Sequence, residues 1–345
     1  MRKAEAAERA ENTAASAAPS ANAAAGHGRP VVTAVVVTYN RCKLLFESLS
    51  AIQGQTPPPD AVIVVDNAST DGTAAAVRVS FPAVQLVELP SNTGGAGGFA
   101  YGMALALAGP TDLVWLMDDD TVPEPQALAA LLDVRSRYPG GQPTLLASRV
   151  LWTDGRPHPM NTPRAKPFAA RAERAAAAAA DCVPIRSASF VSVLVEAGTS
   201  RQRGLPLADY FLWNDDFEFT ARILRGNRGL LCPASVVVHK TPTFGSTDSD
   251  PGQRFFYEVR NKIWTLRSRS PLAIHERVLY GGATLRRWAR TFARSSDRRG
   301  LATSLARGLA AGVRTRPRPT KDVFELIGLP LPGSGGGSAG RESVG

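Results

Sequence analysis

Residues 31–41 read VVTAVVVTYNR, a short β-branched apolar run that ends in polar and charged side chains. A run of this kind is typical of a strand buried in a parallel sheet. Apolar side chains at helical spacing follow it, and the two patterns then repeat along the chain. Further strands are predicted at 61–65, 84–89 and 113–117, with helices over 99–108 and 123–138. Strands that alternate with helices predict an α/β fold, with a doubly wound, mainly parallel sheet and helices on both faces.

An acidic triplet, Asp118-Asp119-Asp120, directly follows the predicted strand 113–117. Polar residues at the carboxyl ends of parallel strands lie where such sheets bind ligands. Alternate side chains point the same way, so Asp118 and Asp120 are predicted to face one ion, and carboxylate oxygens suit Mg²⁺ or Mn²⁺. The alternative is a solvated acidic turn that leads into the next helix. Three adjacent carboxylates repel one another unless a cation lies beside them.

Three segments before the triplet are candidates for a nucleotide site. Arg41 follows the first strand and is placed to meet a phosphate or a base, with Thr38 beside it. Asp66 ends the second strand, where it either accepts the imide N–H of a uracil or thymine ring or caps the next helix. The segment NTGGAGGF, residues 92–99, is expected to be a loop whose backbone N–H groups approach phosphate oxygens. It is neither GxGxxG nor a P-loop, which argues against dinucleotide and ATP sites.

A second acidic cluster, WNDDFE at 213–218, comes just before a helical pattern. A carboxylate here could take the proton from an attacking hydroxyl group. Alternatively, Asp215 and Asp216 simply complement the dipole of the following helix. Further along, His239 ends an apolar run and is either a satisfied structural histidine or a third ligand beside the two carboxylates of the triplet.

The rest of the chain divides by composition. Residues 1–29 contain almost no large apolar side chain and are predicted to be a disordered leader. A catalytic domain is expected over 30–245, in which the irregular stretch 151–185 is interpreted as an insertion or a mobile loop. A helical region is expected over 246–315 and a flexible tail over 316–345.

Charge and cysteine usage limit the class of protein. The chain carries a formal net charge of +10, with arginines concentrated in its last third. Aromatic residues do not interleave with these arginines in a nucleic-acid-binding motif, so no nucleic-acid partner is expected. The basic helices either lie on an anionic membrane or are an ordinary solvated face. Three scattered cysteines, no bilayer-spanning segment and no export signal favour a cytoplasmic protein, with peripheral contact to the inner face of the plasma membrane left open.

Taken in order, these motifs resemble the family 2 inverting glycosyltransferases of GT-A type, from about Val31 to Lys240 and on through RFFYEVRN at 254–261. The resemblance implies that the acidic triplet is a metal-binding DXD element, that Asp216 is the catalytic base beside Asp215, and that His239 is a metal ligand. It also implies a set of residues that contact the sugar-nucleotide donor: Thr38, Tyr39, Asn40, Arg41, Asp66, Asn67, Asn92, Gly95, Gly97, Gly98 and Asp119.

Within that family, the segments NTGGAGGFAYGM and RFFYEVRN are similar to actinobacterial galactofuranosyltransferases and related rhamnosyltransferases. This likeness implies transfer of galactofuranose from UDP-galactofuranose, or of rhamnose from dTDP-rhamnose, with Mn²⁺ or Mg²⁺ as cofactor. The acceptor would be a cell-wall glycan or one linked to polyprenyl diphosphate. Two alternatives are a non-catalytic nucleotide-sugar-binding module on the same scaffold and a nucleotidyltransferase. A nucleotidyltransferase should have a glycine-rich phosphate loop directly after the first strand, which TYNR lacks.

Overall fold

The computed structural model describes residues 28–245 and 251–333 of the chain. All but the last two residues of the predicted leader lie outside this description, as do residues 334–345 of the predicted tail. The described residues contain ten strands: β1 Val32–Thr38, β2 Ala61–Asp66, β3 Gln85–Glu88, β4 Leu113–Asp118, β5 Thr121–Pro123, β6 Leu145–Leu151, β7 Arg164–Ala165, β8 Val183–Ser187, β9 Val193–Glu196 and β10 Gly229–His239.

The helices alternate with these strands in the first half of the chain and then dominate its end. Eleven α-helices lie in the described residues: α1 Cys42–Gln53, α2 Thr73–Ser80, α3 Gly94–Ala108, α4 Ala127–Arg137, α5 Arg171–Ala179, α6 Ala197–Arg203, α7 Asp215–Ile223, α8 Phe255–Arg267, α9 Ile274–Arg294, α10 Arg298–Arg314 and α11 Thr320–Glu325.

The strands form one sheet in the order β3-β2-β1-β4-β9-β6-β10-β8-β7, with β5 paired to β10. The first four strands in this order are parallel, whereas β9 lies antiparallel between β4 and β6. The register aligns Thr38 with Asp66 and Val37 with Asp118, so three strands end at the same edge. The predicted fold class is confirmed, and the antiparallel strands are additions to it.

Two apolar cores cover the two faces of the sheet. Trp115 and Leu116 are adjacent in β4 and are buried in different cores, as the two-residue period of a strand requires. Helices α1 and α4 close the first core through residues such as Leu45, and α3 and α7 close the second through residues such as Phe99. The sheet is therefore covered by helices on both faces, and its exposed carboxyl edge is left for the site.

The stretch 151–185 is a folded insertion and not a mobile loop. It contains β7, α5 and the start of β8, and Ala177 of α5 is fully buried in the first core. Small alanine side chains let α5 lie close to the sheet, which explains how a run of alanines contributes to packing. The irregular sequence pattern reflects short elements separated by turns.

The prediction of a flexible tail over 316–345 is wrong for its first part. Helix α11 packs on the second core through Phe324, which is fully buried and lies 5.1 Å from the Tyr101 ring, centroid to centroid. Thr320 Oγ1 donates a hydrogen bond of 2.8 Å to the carbonyl of Pro206. The tail was predicted to be flexible because its end is rich in glycine. The apolar residues that precede this end were not recognised as part of a helix. No helix within 28–245 and 251–333 combines the length and apolarity needed to cross a membrane.

Candidate functional site

The acidic triplet is tied to the end of β1 through its middle residue. Asp119 Oδ2 accepts hydrogen bonds from Thr38 Oγ1 at 2.8 Å and from the Tyr39 amide at 3.4 Å. Arg41 lies beside the same group, with Nη1 at 2.6 Å from Asp120 Oδ2 and 3.4 Å from Asp119 Oδ1. Burial alone would lower the pKa of Arg41, but these carboxylates raise it. Arg41 therefore supplies the positive charge that three adjacent carboxylates require.

Asp118, Asp120 and His239 form the group that was predicted to hold a metal. One ligand atom from each lies within 4.8 Å of the other two. His239 Nε2 is 2.9 Å from Asp120 Oδ1, because β10 pairs antiparallel with β5 and brings His239 opposite Thr121. Burial raises the pKa of Asp118 to about 7, and the charge of Asp120 adds to this effect. A divalent cation would relieve this repulsion.

Asn161 orients the His239 ring and was not identified from the sequence. Its Oδ1 lies 2.9 Å from His239 Nδ1, and its Nδ2 donates to Ser189 Oγ at 3.1 Å, which fixes the orientation of the amide. An amide oxygen only accepts, so Nδ1 carries a proton and Nε2 is the nitrogen left to bind a cation. Asn161 belongs to the insertion, where no recognisable motif marks it.

A second histidine from the insertion packs against this pair. The His158 ring is fully buried, lies 5.0 Å from the His239 ring between centroids, and has Nε2 at 3.0 Å from Thr241 Oγ1. Burial, together with the nearby charge of His239, lowers the pKa of His158 to about 4. His158 therefore stays neutral at physiological pH and acts as a packing partner.

The predicted catalytic base lies after a strained loop. Phe211, Trp213 and Asn214 have φ values of 63°, 66° and 66°, in the left-handed region that non-glycine residues seldom adopt. Such residues cost about 1–3 kcal/mol each and occur where the surrounding structure enforces them. Helix α7 begins immediately afterwards, so the loop determines where Asp215 and Asp216 lie.

Asn261 of α8 holds this loop in place. Its side-chain amide, fully buried, lies 2.9 Å from the carbonyl oxygens of Tyr210, Leu212 and Trp213 and donates to them. The segment RFFYEVRN, whose role the sequence alone did not indicate, therefore includes the residue that clamps the loop before the acidic pair.

The two aspartates at the start of α7 differ in exposure. Asp216 is partly exposed and its Oδ1 accepts the Phe217 amide at 2.6 Å, whereas Asp215 is buried. Burial raises the pKa of both, and for Asp215 the charge of Asp216 adds to this effect. Their neighbour Glu218 instead forms a buried ion pair with Arg222, at 2.9 Å between Oε1 and Nε. Asp216 is therefore the better placed of the two to meet a substrate.

The predicted donor residues at the ends of β1 and β2 lie together, although several are already hydrogen-bonded. Asp66 is buried and accepts the Ser69 amide, so it stabilises the turn and does not cap α2. Asn40 accepts from the Thr70 amide at 2.7 Å, and Tyr39 is exposed. These side chains line the edge of the sheet beside Arg41.

Asn67 and Asn92 organise the start of α3. Asn67 Nδ2 donates to the Gly94 carbonyl and its Oδ1 accepts from the Thr93 amide, both at 2.8 Å. Asn92 is exposed and its Oδ1 accepts from the Gly94 amide at 2.8 Å. Asn67 is thus occupied within the protein, whereas Asn92 faces solvent.

The expectation that 92–99 is a loop is wrong, because α3 begins at Gly94. A Cβ at Gly98 would lie 2.4 Å from Val37, and one at Gly97 would lie 2.2 Å from the threonine that precedes the helix. These two glycines allow close packing of α3 and do not face a ligand. Of the three glycines predicted to contact the donor, Gly95 alone has open space at its Cβ position. The helix still begins at the edge of the site, where its N-terminal amides favour an anion.

Comparison with known proteins identifies relatives. Residues 33–142 match the family described as Glycosyl transferase family 2. Galactofuranosyltransferase GlfT1 of Mycobacterium tuberculosis is 31% identical over 251 residues, which cover 68% of this chain and 82% of that protein. The N-acetylglucosaminyl-diphospho-decaprenol L-rhamnosyltransferase of the same organism is 33% identical over 119 residues, which cover 32% of this chain and 38% of that protein.

A similar fold occurs among solved structures. The crystal structure of Staphylococcus aureus TarS, residues 1–349, superposes with a TM-score of 0.55 at 17% identity and covers 81% of this chain and 80% of that one. At this identity the likeness concerns the fold alone, which is the GT-A type predicted from the order of the motifs.

Proposed function

The chain belongs to glycosyl transferase family 2, and we propose that it is an inverting, metal-dependent enzyme that transfers a sugar from a nucleoside diphosphate to an acceptor hydroxyl group. The observation that carries this proposal is the presence of two separate acidic groups near one edge of the sheet. One is Asp118 with Asp120 and His239, and the other is Asp216. Asp118 and Asp216 lie close enough for the charge of one to raise the pKa of the other.

The donor set fits Mn²⁺ or Mg²⁺. Two carboxylates and an imidazole nitrogen converge within 4.8 Å, and hard oxygen ligands with one nitrogen suit these ions. When bound, the cation neutralises charge that develops on the departing nucleoside diphosphate. Arg41 lies between the triplet and solvent. It adds a fixed positive charge at the end of the site where the nucleoside diphosphate would bind. Asp119 holds β4 to β1 and so keeps Asp118 and Asp120 in register.

Asp216 acts as the general base in this proposal. It removes the proton of the acceptor hydroxyl while that oxygen attacks the anomeric carbon from the side opposite the leaving nucleotide, which inverts the configuration. General base catalysis contributes about 10²–10⁴ in rate. Asp215 lies beside it, and burial together with the charge of Asp216 raises the pKa of Asp215. The donor contacts that remain supported by exposure or position are Thr38, Tyr39, Asn40, Arg41, Asp66, Asn92 and Gly95.

The relatives suggest the substrates. We infer that the donor is UDP-galactofuranose or dTDP-rhamnose and that the acceptor is a cell-wall or polyprenyl-linked glycan, because the names of the mycobacterial relatives state galactofuranosyl and rhamnosyl transfer, the latter to a diphospho-decaprenol. Transfer from a panel of UDP- and dTDP-sugars in the presence of Mn²⁺ identifies the donor. A protein that binds a nucleotide sugar but transfers nothing with any donor would instead be the non-catalytic module.

Two variants test the mechanism. Asp216→Asn should lower turnover by about 10²–10⁴ with nucleotide affinity nearly unchanged. Asp133→Asn is the matched control, since Asp133 is an exposed residue of α4 paired only with Arg137 in the part of the chain described. Full activity of Asp216→Asn would rule it out as the base. Turnover that is unchanged in the presence of EDTA would rule out a requirement for a metal ion.

We further propose that α9 lies on a membrane surface near a lipid-linked acceptor. Its outer face exposes Ile274, Val278 and Leu285 by 79%, 74% and 65%, at spacings that place them on one stripe. Exposed Arg286 and Arg290 flank this stripe and suit anionic headgroups. The alternative is a solvated face. Loss of liposome flotation in a variant with the three apolar residues changed to Ser supports the membrane, and unchanged flotation refutes it.

A further inference from the structure

The residue before the acidic pair does not cap the helix that follows it. Asn214 precedes α7 with φ 66° and ψ 0°, and its side chain makes no capping hydrogen bond to α7, every residue of which lies in the described part of the chain. An asparagine at this position usually accepts a hydrogen bond from an amide of the first turn. Instead, Asn214 Nδ2 donates to Glu258 Oε2 of α8 at 2.7 Å. The side chain therefore joins the start of α7 to a different helix.

Glu258 is also bound by helix α9. Its Oε1 accepts a hydrogen bond from Trp288 Nε1 at 3.2 Å and forms an ion pair with the Arg287 guanidinium. The side chains of Glu258 and Arg287 are 13% and 14% exposed, so salt screens this pair only weakly. The Trp288 ring packs edge to face against Phe255 of α8, with 6.0 Å between the ring centroids. Helix α9 thus fixes the carboxylate whose second oxygen accepts from Asn214.

This contact acts on a different part of the loop from the Asn261 amide. Asn261 lies three residues after Glu258, so both side chains project from one face of α8. Asn261 donates to main-chain carbonyls of the preceding residues, whereas Glu258 accepts from the side chain of Asn214. The Asn214 carbonyl in turn accepts from the Glu218 amide at 2.9 Å, in the first turn of α7. A displacement of Asn214 therefore moves the start of the helix that carries Asp216.

We propose that Glu258 is a positioning residue for the reaction, which acts through Asn214 to set where Asp216 meets the acceptor hydroxyl group. This inference rests on the proposed function, since it takes Asp216 as the base. Residues other than glycine seldom adopt the left-handed backbone of Asn214, so an external bond to its side chain helps to hold that conformation. The alternative is that Glu258 only complements the dipole of α8, in whose first turn it lies. That role predicts a loss of stability without a loss of kcat in the folded protein.

A double-mutant cycle separates the two roles at a temperature where all variants are folded. Glu258→Ala and Asn214→Gly should each lower kcat about ten- to a hundredfold, with the KM for the donor unchanged, because a displacement of about 1 Å can cost a hundredfold in rate. Glycine is chosen because it adopts the left-handed backbone without strain. The double variant should lose no more than either single variant, since both changes remove the same bond.

Two further variants complete the comparison. Glu258→Gln should restore most of the kcat, because its amide can still form a hydrogen bond with the amide of Asn214. Glu173→Ala is the matched control and should keep the kcat of the wild type. The Glu173 side chain is 14% exposed and accepts two hydrogen bonds from Lys166, at 2.8 and 2.9 Å, within the insertion. It therefore matches Glu258 in burial and in bonding but does not contact the loop.

Losses of kcat that multiply in the double variant, or a Glu258→Ala protein with the kcat of the wild type, would overturn the inference. Hydrogen–deuterium exchange of the amides of residues 211–218 requires no turnover, and it should be faster in Glu258→Ala than in the wild type or in Glu173→Ala. If this difference is found but the wild type transfers no sugar with any donor, the proposed function is rejected and Glu258 still holds the loop. Equal exchange in the wild type and Glu258→Ala would reject the role of Glu258 alone.

Discussion

Replacement of Asn261 by Ala should disconnect the loop that positions the proposed base. The Asn261 amide donates to three carbonyl oxygens at 2.9 Å, and it has two N–H groups with which to do so. Each net hydrogen bond is worth about 0.5–1.5 kcal/mol, and the carbonyls left behind in a buried place lose further free energy. We therefore expect the free energy of unfolding to fall by about 2–3 kcal/mol.

The loss of activity should exceed what this destabilisation alone would cause. Three residues of the loop have left-handed φ values, and the strain of about 1–3 kcal/mol at each favours relaxation once the clamp is gone. Asp216 would then move relative to the acceptor, and a displacement of about 1 Å can cost a hundredfold in rate. We expect kcat to fall at least tenfold at a temperature where the variant is fully folded, while the affinity for the donor nucleotide stays within about threefold.

Urea unfolding, steady-state kinetics and nucleotide binding measure these quantities on one preparation. Asn227→Ala is the control, because Asn227 Nδ2 makes a single hydrogen bond of 2.8 Å to the Ile223 carbonyl at the other end of α7. It should lose about 1 kcal/mol of stability and no activity. A folded Asn261→Ala protein with the kcat of the wild type would refute the view that the clamp positions the base.

Three further predictions concern the metal group and the helical region. Asn161→Ala should weaken Mn²⁺ binding about 10–100-fold by calorimetry, because the His239 ring loses the partner that orients it. Mn²⁺ affinity should fall as the pH drops below about 7, since Asp118 has a pKa raised to about 7 and must lose its proton to bind the ion; an affinity equal at pH 6 and pH 8 would contradict this. Glu276→Ala should cost about 3–5 kcal/mol in chemical unfolding, because it leaves buried Arg186 without its partner at 2.6 Å.

The pH dependence of the ion pair between Glu276 and Arg186 follows from the direction in which the pKa of Glu276 is shifted. Burial alone would raise the pKa of Glu276, but its contacts with Arg186 and the Ala273 amide hold it below the ordinary value. The pair therefore stabilises the fold fully above the pKa of the unfolded carboxyl group. This contribution is lost as the pH falls through the lower pKa of the folded state. Glu276→Ala should remove this part of the acid sensitivity.

The sheet could be predicted from the sequence because its signal is local. A buried parallel strand needs an unbroken apolar run, and β1, β2 and β4 each have one followed by a polar residue. Once the strands are parallel and adjacent, Thr38, Asp66 and Asp118 must meet at one edge, as they do. The antiparallel strands β8 and β9 cannot be separated in this way, because residues 187–195 read SASFVSVLV and contain the end of one strand and the start of the next.

The supporting residues of the site could not be predicted, because their partners are distant in sequence. Asn161 contacts His239 across 78 positions, and Asn261 reaches the loop before α7 across about 50. Neither asparagine stands out in the sequence, because a polar side chain in a turn or a helix is usually solvated and indicates no buried partner. The donor contacts predicted for Gly97 and Gly98 were wrong for the opposite reason. Their spacing indicated a phosphate loop, yet the same residue type is needed wherever a helix packs closely on a strand.

The acidic triplet shows how the fold gives different roles to three identical side chains. Asp119 points to β1, where Thr38 and Arg41 occupy it, so its contribution to the donor site is to fix the position of the strand end. Asp118 and Asp120 instead meet His239, and Asp120 uses its other carboxylate oxygen to pair with Arg41 at 2.6 Å. If this division is correct, Asp119→Asn should retain Mn²⁺ binding, since an amide oxygen still accepts from Thr38, whereas Asp118→Asn should lose it. Calorimetry that found equal metal affinities in the two variants would contradict the division, because alternation along the chain would then have no consequence for the ion.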